Sequence, residues 1–174
     1  MSHERRIPPG VRATDALRAA LDEWQASVVL LDAMDPVTTE LVRLRAAAHH
    51  DCRACKSLRT TTGRDAGVDD TMTAKIDRYE LSDLPERHKV ALRLADAMMT
   101  QPGEISSELA AQLHEYFTDA ELLELSLDVM KWNYQKVPVA LRTDVEPTPG
   151  HLTLLEFDER GRHRYSGQVT TEPA

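Results

Sequence analysis

Apolar residues recur at every third or fourth position through most of this chain, which is the spacing of one face of an α-helix. The pattern predicts a first helix over residues 14–31 and a second over residues 36–49. Asp35 and Pro36 mark the start of the second helix, because a carboxylate caps free backbone N–H groups and proline fits the first helical turn. The apolar face of the first helix consists of Leu17, Leu21, Trp24 and Val28.

Five further helices are predicted by the same spacing and by the capping residues in front of them. Asp51 has the chemistry of an N-cap, so the next helix is expected to run from Cys52 to about Thr61 and to end at Thr62 and Gly63. The last predicted helix is apolar on most sides, which indicates a central position in the fold. The other four are expected over residues 70–79, 85–100 and 107–116 and from Thr118 to about Trp132.

The pattern changes after Pro147, where the helical spacing ends. Two short runs, residues 152–157 and 162–165, flank a polar turn and predict a small β-hairpin. We therefore expect an all-α fold with this hairpin in a C-terminal extension. The expected divisions are an irregular lead-in over residues 1–13, one helical domain over 14–146 and the extension over 147–174.

Charge and hydropathy exclude several classes of function. The chain has 174 residues and a formal net charge of −8, which argues against binding to nucleic acid or to an anionic membrane, because both attract clustered Lys and Arg. No apolar run approaches the roughly 20 residues of a membrane helix, and no apolar stretch follows the charged start as in a signal peptide. We therefore expect a cytoplasmic protein.

Only two cysteines occur in the chain, at positions 52 and 55. Two thiols three residues apart on a helix share one face, so a reversible disulfide is geometrically available. The positive end of the helix dipole stabilises a thiolate, and Arg53 and Lys56 add positive charge nearby, although Asp51 opposes it. At least one thiol pKa is expected below its ordinary value.

This spacing of cysteines has other interpretations as well. It also occurs in half of a zinc site, which His49 and His50 would complete, and in ordinary structural helices. Adjacent histidines on a helix project about 100° apart and do not readily turn toward one ion, which disfavours zinc. We expect no metal.

The residues before the cysteines add a more specific signal. Glu40 lies twelve residues before Cys52, and the segment from Glu40 to Cys55 resembles the signature of the carboxymuconolactone decarboxylase superfamily, in its CxxC-bearing alkylhydroperoxidase D branch. Residues 84–98 and 118–134 are similar to later helices of that family. The resemblance covers about residues 15–145.

The resemblance implies an alkylhydroperoxidase D-like helical bundle that assembles into dimers, trimers or hexamers. It implies an antioxidant peroxidase or disulfide reductase that needs no cofactor beyond its cysteine pair. Cys55 would attack a small hydroperoxide, Cys52 would resolve the sulfenic acid, and Glu40 would serve the proton relay. A partner dithiol, such as a lipoyl or thioredoxin-like protein, would reduce the disulfide.

One departure from the family pattern concerns this relay. Arg59 stands four residues after Cys55, where the family has a histidine, and an arginine holds its proton at ordinary pH. If the chain reverses near residues 50–51, Glu40 and Arg59 lie at one level, which predicts an ion pair between them. His49 or His50 would then be the substitute base.

The sequence therefore predicts a thiol–disulfide oxidoreductase with hydroperoxide reduction as its candidate activity, and two alternatives stay open. The first is a non-catalytic oligomeric or redox-sensing domain of the same fold. The second is a lyase resembling carboxymuconolactone decarboxylase, against which the cysteine pair argues because such members generally lack it.

Overall fold

Helices make up most of the fold. A computed structural model of the chain describes residues 4–169. The helices within these residues are α1 (Asp15–Val29), α2 (Pro36–His49), α3 (Arg53–Lys56), α4 (Thr61–Asp65), α5 (Asp70–Ala74), α6 (Glu86–Thr100), α7 (Ser107–Tyr116), α8 (Asp119–Tyr134) and α9 (Val137–Ala140), with 3₁₀ helices at Ile76–Leu81 and Pro102–Glu104. None of these helices is both long and apolar enough to cross a membrane.

The longer helices begin at the capping residues that the sequence predicted. At α2 the Asp35 carboxylate accepts a hydrogen bond from the backbone N–H of Thr38 at 2.8 Å, and Pro36 occupies the first turn. At α8, Thr118 and Glu121 form a reciprocal capping box. These side chains satisfy backbone donors that have no partner within the helix, so they fix where each helix starts.

The core lies where α2 packs against α6 and α8. The helix α1 also rests on α8, but its Leu17 remains 51% exposed. The prediction of a central last helix is confirmed for one side of α8, while Leu123 and Met130 on that helix are exposed. Residues with no solvent exposure in this core include Leu41, Val42, Val90, Leu92, Leu125 and Val129.

The predicted helix over residues 52–61 is wrong. The chain forms one turn of helix, α3, then strand β1 (Leu58–Thr60) and then α4. Strand β1 pairs in parallel with β2 (Thr153–Phe157), with Leu58 opposite Thr153. A distant strand thus supplies hydrogen bonds that override the local helical preference. The helix predicted over residues 70–79 is likewise shorter, because α5 ends at Ala74 and a 3₁₀ helix follows.

The predicted C-terminal hairpin is confirmed. Strand β2 pairs antiparallel with β3 (His163–Gln168), and the sheet has the strand order β1-β2-β3. Asp158 closes the turn, because its carboxylate accepts hydrogen bonds from the backbone N–H groups of Arg160 and Arg162 at 2.9 Å each. The pairing of β1 with β2 places this hairpin beside the segment that carries the two cysteines.

Candidate functional site

Cys52 and Cys55 form a disulfide, with their Cα atoms 5.3 Å apart. Cys52 is buried, with 2% of its surface exposed, whereas Cys55 is partly exposed. Cys55 is therefore the more accessible residue of the pair.

A sharp turn after α2 positions the disulfide. Asp51 has a φ of 50°, and the backbone N–H of Cys52 donates a 3.0 Å hydrogen bond to the carbonyl of Ala47. The Sγ of Cys52 then caps α3 by accepting a 3.2 Å hydrogen bond from the backbone N–H of Cys55. The predicted capping role of Asp51 is therefore wrong, because Asp51 occupies the turn and forms an ion pair with Lys56.

Lys136, which the sequence analysis did not single out, contacts the disulfide directly. Its Nζ lies 3.2 Å from the Sγ of Cys55, and the residue is only 9% exposed. Burial, together with the positive charge of Arg43, lowers the pKa of Lys136 to about 8, while Asp144 acts in the opposite direction. A lysine with this pKa exists as both ammonium and amine near neutral pH. The sequence signal was a single lysine within the mostly apolar run after Trp132.

Asp144 holds the start of α3. Its buried carboxylate accepts a 3.0 Å hydrogen bond from the backbone N–H of Arg53, and the Arg53 guanidinium also contacts it. The positive charges expected from Arg53 and Lys56 are thus largely neutralised, by Asp144 and Asp51 respectively. Among the residues from 4 to 169, Lys136 is the cation that lies within hydrogen-bond distance of a cysteine sulfur.

Glu40 and Arg43 form a buried ion pair beneath this segment, with 2% and 3% of their side chains exposed. Both bonds of the pair measure 2.7 Å. Glu40 also accepts hydrogen bonds from the backbone N–H and the hydroxyl of Thr60. Arg43 donates to the carbonyls of Cys55 and Leu58 at 3.1 and 2.7 Å, so the pair is tied to the backbone that carries the disulfide.

The expected ion pair between Glu40 and Arg59 is wrong. The chain does reverse as expected, but β1 is a strand, and its side chains alternate between two faces. Thr60 therefore meets Glu40, whereas Arg59 is directed by its own hydrogen bonds to the carbonyls of Lys56 and Leu58 at 2.9 and 2.8 Å. Burial and the charge of Arg43 lower the pKa of Arg59, and Glu40 only partly offsets this.

The histidines lie to one side of the disulfide. His49 is exposed and packs edge-on against His50, with ring centroids 4.8 Å apart. A ring nitrogen of His50 lies 2.8 Å from Oδ1 of Asn133, and burial lowers the pKa of His50. Within the described part of the chain, neither ring forms a hydrogen bond with a sulfur, so the substitute base predicted at His49 or His50 is not in contact with the cysteines.

A second group of buried charges lies on α8. Lys131 is 1% exposed, and its Nζ lies 3.5 Å from the centroid of the Trp132 ring and 5.4 Å from that of Phe157. Asp128 is 4% exposed. Burial raises the pKa of Asp128 and lowers that of Lys131, because it disfavours the charged form of each.

Two cavities flank the segment that contains the cysteines. The larger, of about 290 Å³, is lined by Arg53, Lys56, Ser57, Glu146, Gly150, His151 and Leu152. The smaller, of about 190 Å³, is lined by Leu44, Ala48, Lys56, Arg59, Thr73, Ile76 and Asp77. Both contain Lys56, which immediately follows Cys55.

Two curated mycobacterial proteins are similar to this chain in sequence. No family model matches the chain. It is 42% identical over 132 residues, or 75% of its length, to the uncharacterized proteins Rv2313c and MT2376 of two Mycobacterium tuberculosis strains. The chain spans about half of the length of these relatives, at 46%.

A solved structure extends the comparison. It is a protein of unknown function from Agrobacterium tumefaciens, described as a candidate antioxidant defence protein AhpD. The TM-score is 0.64 at 19% sequence identity, and the alignment covers 83% of this chain and 99% of the other. The predicted alkylhydroperoxidase D-like helical fold is confirmed. The disulfide and the fold together are compatible with a redox role.

Proposed function

We propose that this protein is a thiol–disulfide oxidoreductase that reduces hydroperoxides with Cys55 and Cys52. One observation supports the proposal above the others: the Sγ of the partly exposed Cys55 is bonded to a buried cysteine and contacted by Lys136 at 3.2 Å. A buried disulfide of purely structural use needs no titratable group beside it, whereas a thiolate that forms and disappears does.

In the reductive half of the cycle, a thiolate of a partner dithiol attacks the Sγ of Cys55. A mixed disulfide forms, the bond between Cys55 and Cys52 breaks, and Cys52 leaves as a thiolate. The N–H of Cys55 at the start of α3 already points to the Sγ of Cys52, so it stabilises this leaving group. The second partner thiol then attacks the mixed disulfide and releases Cys55 as a thiolate beside the ammonium of Lys136.

In the oxidative half, the thiolate of Cys55 attacks the terminal oxygen of the hydroperoxide. An S–O bond forms, the O–O bond breaks, and the alkoxide leaves as an alcohol after taking the proton of the Lys136 ammonium. The thiolate of Cys52 then attacks the sulfenic acid at Cys55, which reforms the disulfide and expels hydroxide. The two protons that the dithiol gives up on oxidation convert this hydroxide to water and restore the Lys136 ammonium. The sum is the reduction of one hydroperoxide to alcohol and water by two electrons from the dithiol.

Lys136 takes the place of a relay histidine in this scheme. Its pKa of about 8 lies close to working pH, where a general acid gives up and regains a proton with little cost. Glu40 is assigned a positioning role, because it holds Arg43, and Arg43 in turn holds the carbonyl of Cys55. Arg59 and His49, which the family pattern and the sequence brought into the candidate set, have no step in it.

The partner and the assembly remain predictions from the resemblance. We propose a lipoyl or thioredoxin-like dithiol as reductant and a homo-oligomer as the working form. Light scattering after size-exclusion chromatography measures the assembly directly, and a monomer at micromolar concentration would contradict it.

The enzymatic proposal is tested by following the loss of tert-butyl hydroperoxide with dihydrolipoamide as electron donor. Cys55→Ser is expected to abolish turnover, and Lys136→Met to reduce it at least tenfold. Lys75→Met is the matched control, because Lys75 is paired with Asp83 on the surface, and it is expected to act as wild type. A disulfide that is reduced and reformed with no peroxide turnover would favour the redox-sensing alternative.

A further inference from the structure

Arg59 lies at a cavity that the redox proposal does not use. The side chain is buried, with the residue 8% exposed, and it forms part of the wall of the 190 Å³ cavity. Its Nε has no hydrogen-bond partner, although its NH1 group donates to two backbone carbonyls. A residue that lines this cavity therefore carries a guanidinium with an unused donor.

Arg59 also forms no ion pair among the described residues. Within residues 4–169, no carboxylate lies within 4.0 Å of its guanidinium, and the neighbouring Arg43 is already occupied by Glu40. A buried charge without a partner is costly, and an arginine cannot escape the cost by losing its proton. Five other buried or half-buried arginines among residues 4–169 are paired with carboxylates: Arg43 with Glu40, Arg45 with Asp96, Arg53 with Asp144, Arg87 with Glu121 and Arg93 with Glu80.

The residues that line the cavity together with Arg59 indicate which kind of anion fits there. Leu44, Ala48 and Ile76 provide apolar surface, which suits an aliphatic group. Asp77 adds a carboxylate to the wall, which disfavours an anion with two charges. A guanidinium binds a carboxylate with particular geometric fit, and the volume lies below that of ordinary drug-sized sites of roughly 300 Å³ and above.

We propose that this cavity is a binding site for a small aliphatic monocarboxylate, whose carboxylate pairs with Arg59 and whose chain packs against Leu44, Ala48 and Ile76. The site stands apart from the disulfide chemistry and does not depend on it. Arg59 connects the two regions only through the backbone, since it holds the carbonyl of Lys56, the residue after Cys55.

The probe for this proposal is hexanoate, titrated into the oxidised full chain and followed by NMR chemical shifts and by thermal melting. Saturable binding is expected, with hexanamide, which has the same shape without the charge, at least tenfold weaker. Arg59→Met is expected to weaken hexanoate at least tenfold and Arg59→Lys several-fold, because lysine lacks the planar fork. Arg78→Met is the matched control, an exposed arginine expected to leave binding unchanged.

A variant that binds hexanoate more tightly cannot be explained by a loss of folding. Asp77→Asn removes the negative charge from the wall, so hexanoate is expected to bind several-fold more tightly while hexanamide is unaffected. Equal binding of hexanoate and hexanamide, or unchanged affinity in folded Arg59→Lys and Asp77→Asn proteins, would overturn the site. Because the oxidised protein does not turn over, these results are independent of peroxidase activity.

Discussion

The Nζ of Lys136 lies 3.2 Å from the Sγ of Cys55, although 81 residues separate them along the chain. This contact brings a cation from the segment between α8 and α9 to the Sγ of Cys55. The cations that adjoin the cysteines in sequence, Arg53 and Lys56, are instead engaged by carboxylates. The electrostatics of the cysteine pair therefore depend on a residue outside its own segment.

Replacing Lys136 is expected to raise the pKa of the Cys55 thiol in the reduced protein. Lys136→Met removes the nearby positive charge, so the thiolate of Cys55 loses stabilisation and its alkylation is expected to require higher pH. The rate of alkylation by iodoacetamide as a function of pH measures the effect. Lys136→Arg separates two roles: it is expected to keep the alkylation profile of the wild type and still slow peroxide turnover, since arginine does not release its proton. An unchanged alkylation profile in Lys136→Met would show that Lys136 does not stabilise the thiolate of Cys55.

Loss of the Glu40 charge is expected to destabilise the fold. Glu40→Gln leaves Arg43 buried without a counterion, and breaking one side of a buried ion pair costs about 3 kcal/mol. Chemical denaturation measures the free energy of unfolding. Glu108→Gln, at an exposed position of α7, is the control and is expected to lie within about 0.5 kcal/mol of wild type. A cost near zero for Glu40→Gln would mean that Arg43 finds another partner.

The close approach of α4 to Glu40 is expected to require glycine at position 63. A Cβ at Gly63 would lie 2.7 Å from both Cβ and Cγ of Glu40, so Gly63→Ala forces the buried ion pair to move. A loss of about 1 to 3 kcal/mol of unfolding free energy is expected. Gly103→Ala is the matched control, because a Cβ there meets no atom within 4 Å. Similar stabilities for the two variants would show that α4 can shift away from Glu40 at little energetic cost.

Asp128 is expected to make stability depend on pH in an unusual direction. Its pKa is raised in the folded state, so its contribution is fully present below the unfolded pKa of about 4 and is lost as pH rises through the folded value. The stability of wild type minus that of Asp128→Asn is therefore expected to fall by at least about 1.4 kcal/mol between pH 4 and pH 8. Denaturation across this range measures the difference. Asp22→Asn, at an exposed position of α1, is the control and is expected to give a difference that does not change with pH. A stability difference between wild type and Asp128→Asn that rises with pH would contradict the assignment.

Local signals were sufficient for much of the fold. The start of α2 at Asp35 and that of α8 at Thr118 could be predicted because each cap is a hydrogen bond between residues three apart. The hairpin of β2 and β3 was predicted for the same reason, since its turn at Asp158 is local. The cysteine pair was also found from spacing alone.

What escaped prediction depends on contacts between distant parts of the chain. Residues 58–60 form a strand because they pair with residues 153–155, almost a hundred positions later. The periodicity of the local sequence does not indicate this strand. Because this segment is a strand and not a helix, Thr60 rather than Arg59 contacts Glu40. The approach of Lys136 to Cys55 is of the same kind, because it depends on how the end of α8 packs.

The pairing of β1 with β2 has a consequence for the growing polypeptide. Leu58 and its neighbours are synthesised well before Thr153, so the segment just after the thiols acquires its strand partner only when residues 153–155 have followed. Residues 153–168 therefore complete the sheet beside Cys52 and Cys55 after the described helices have been made.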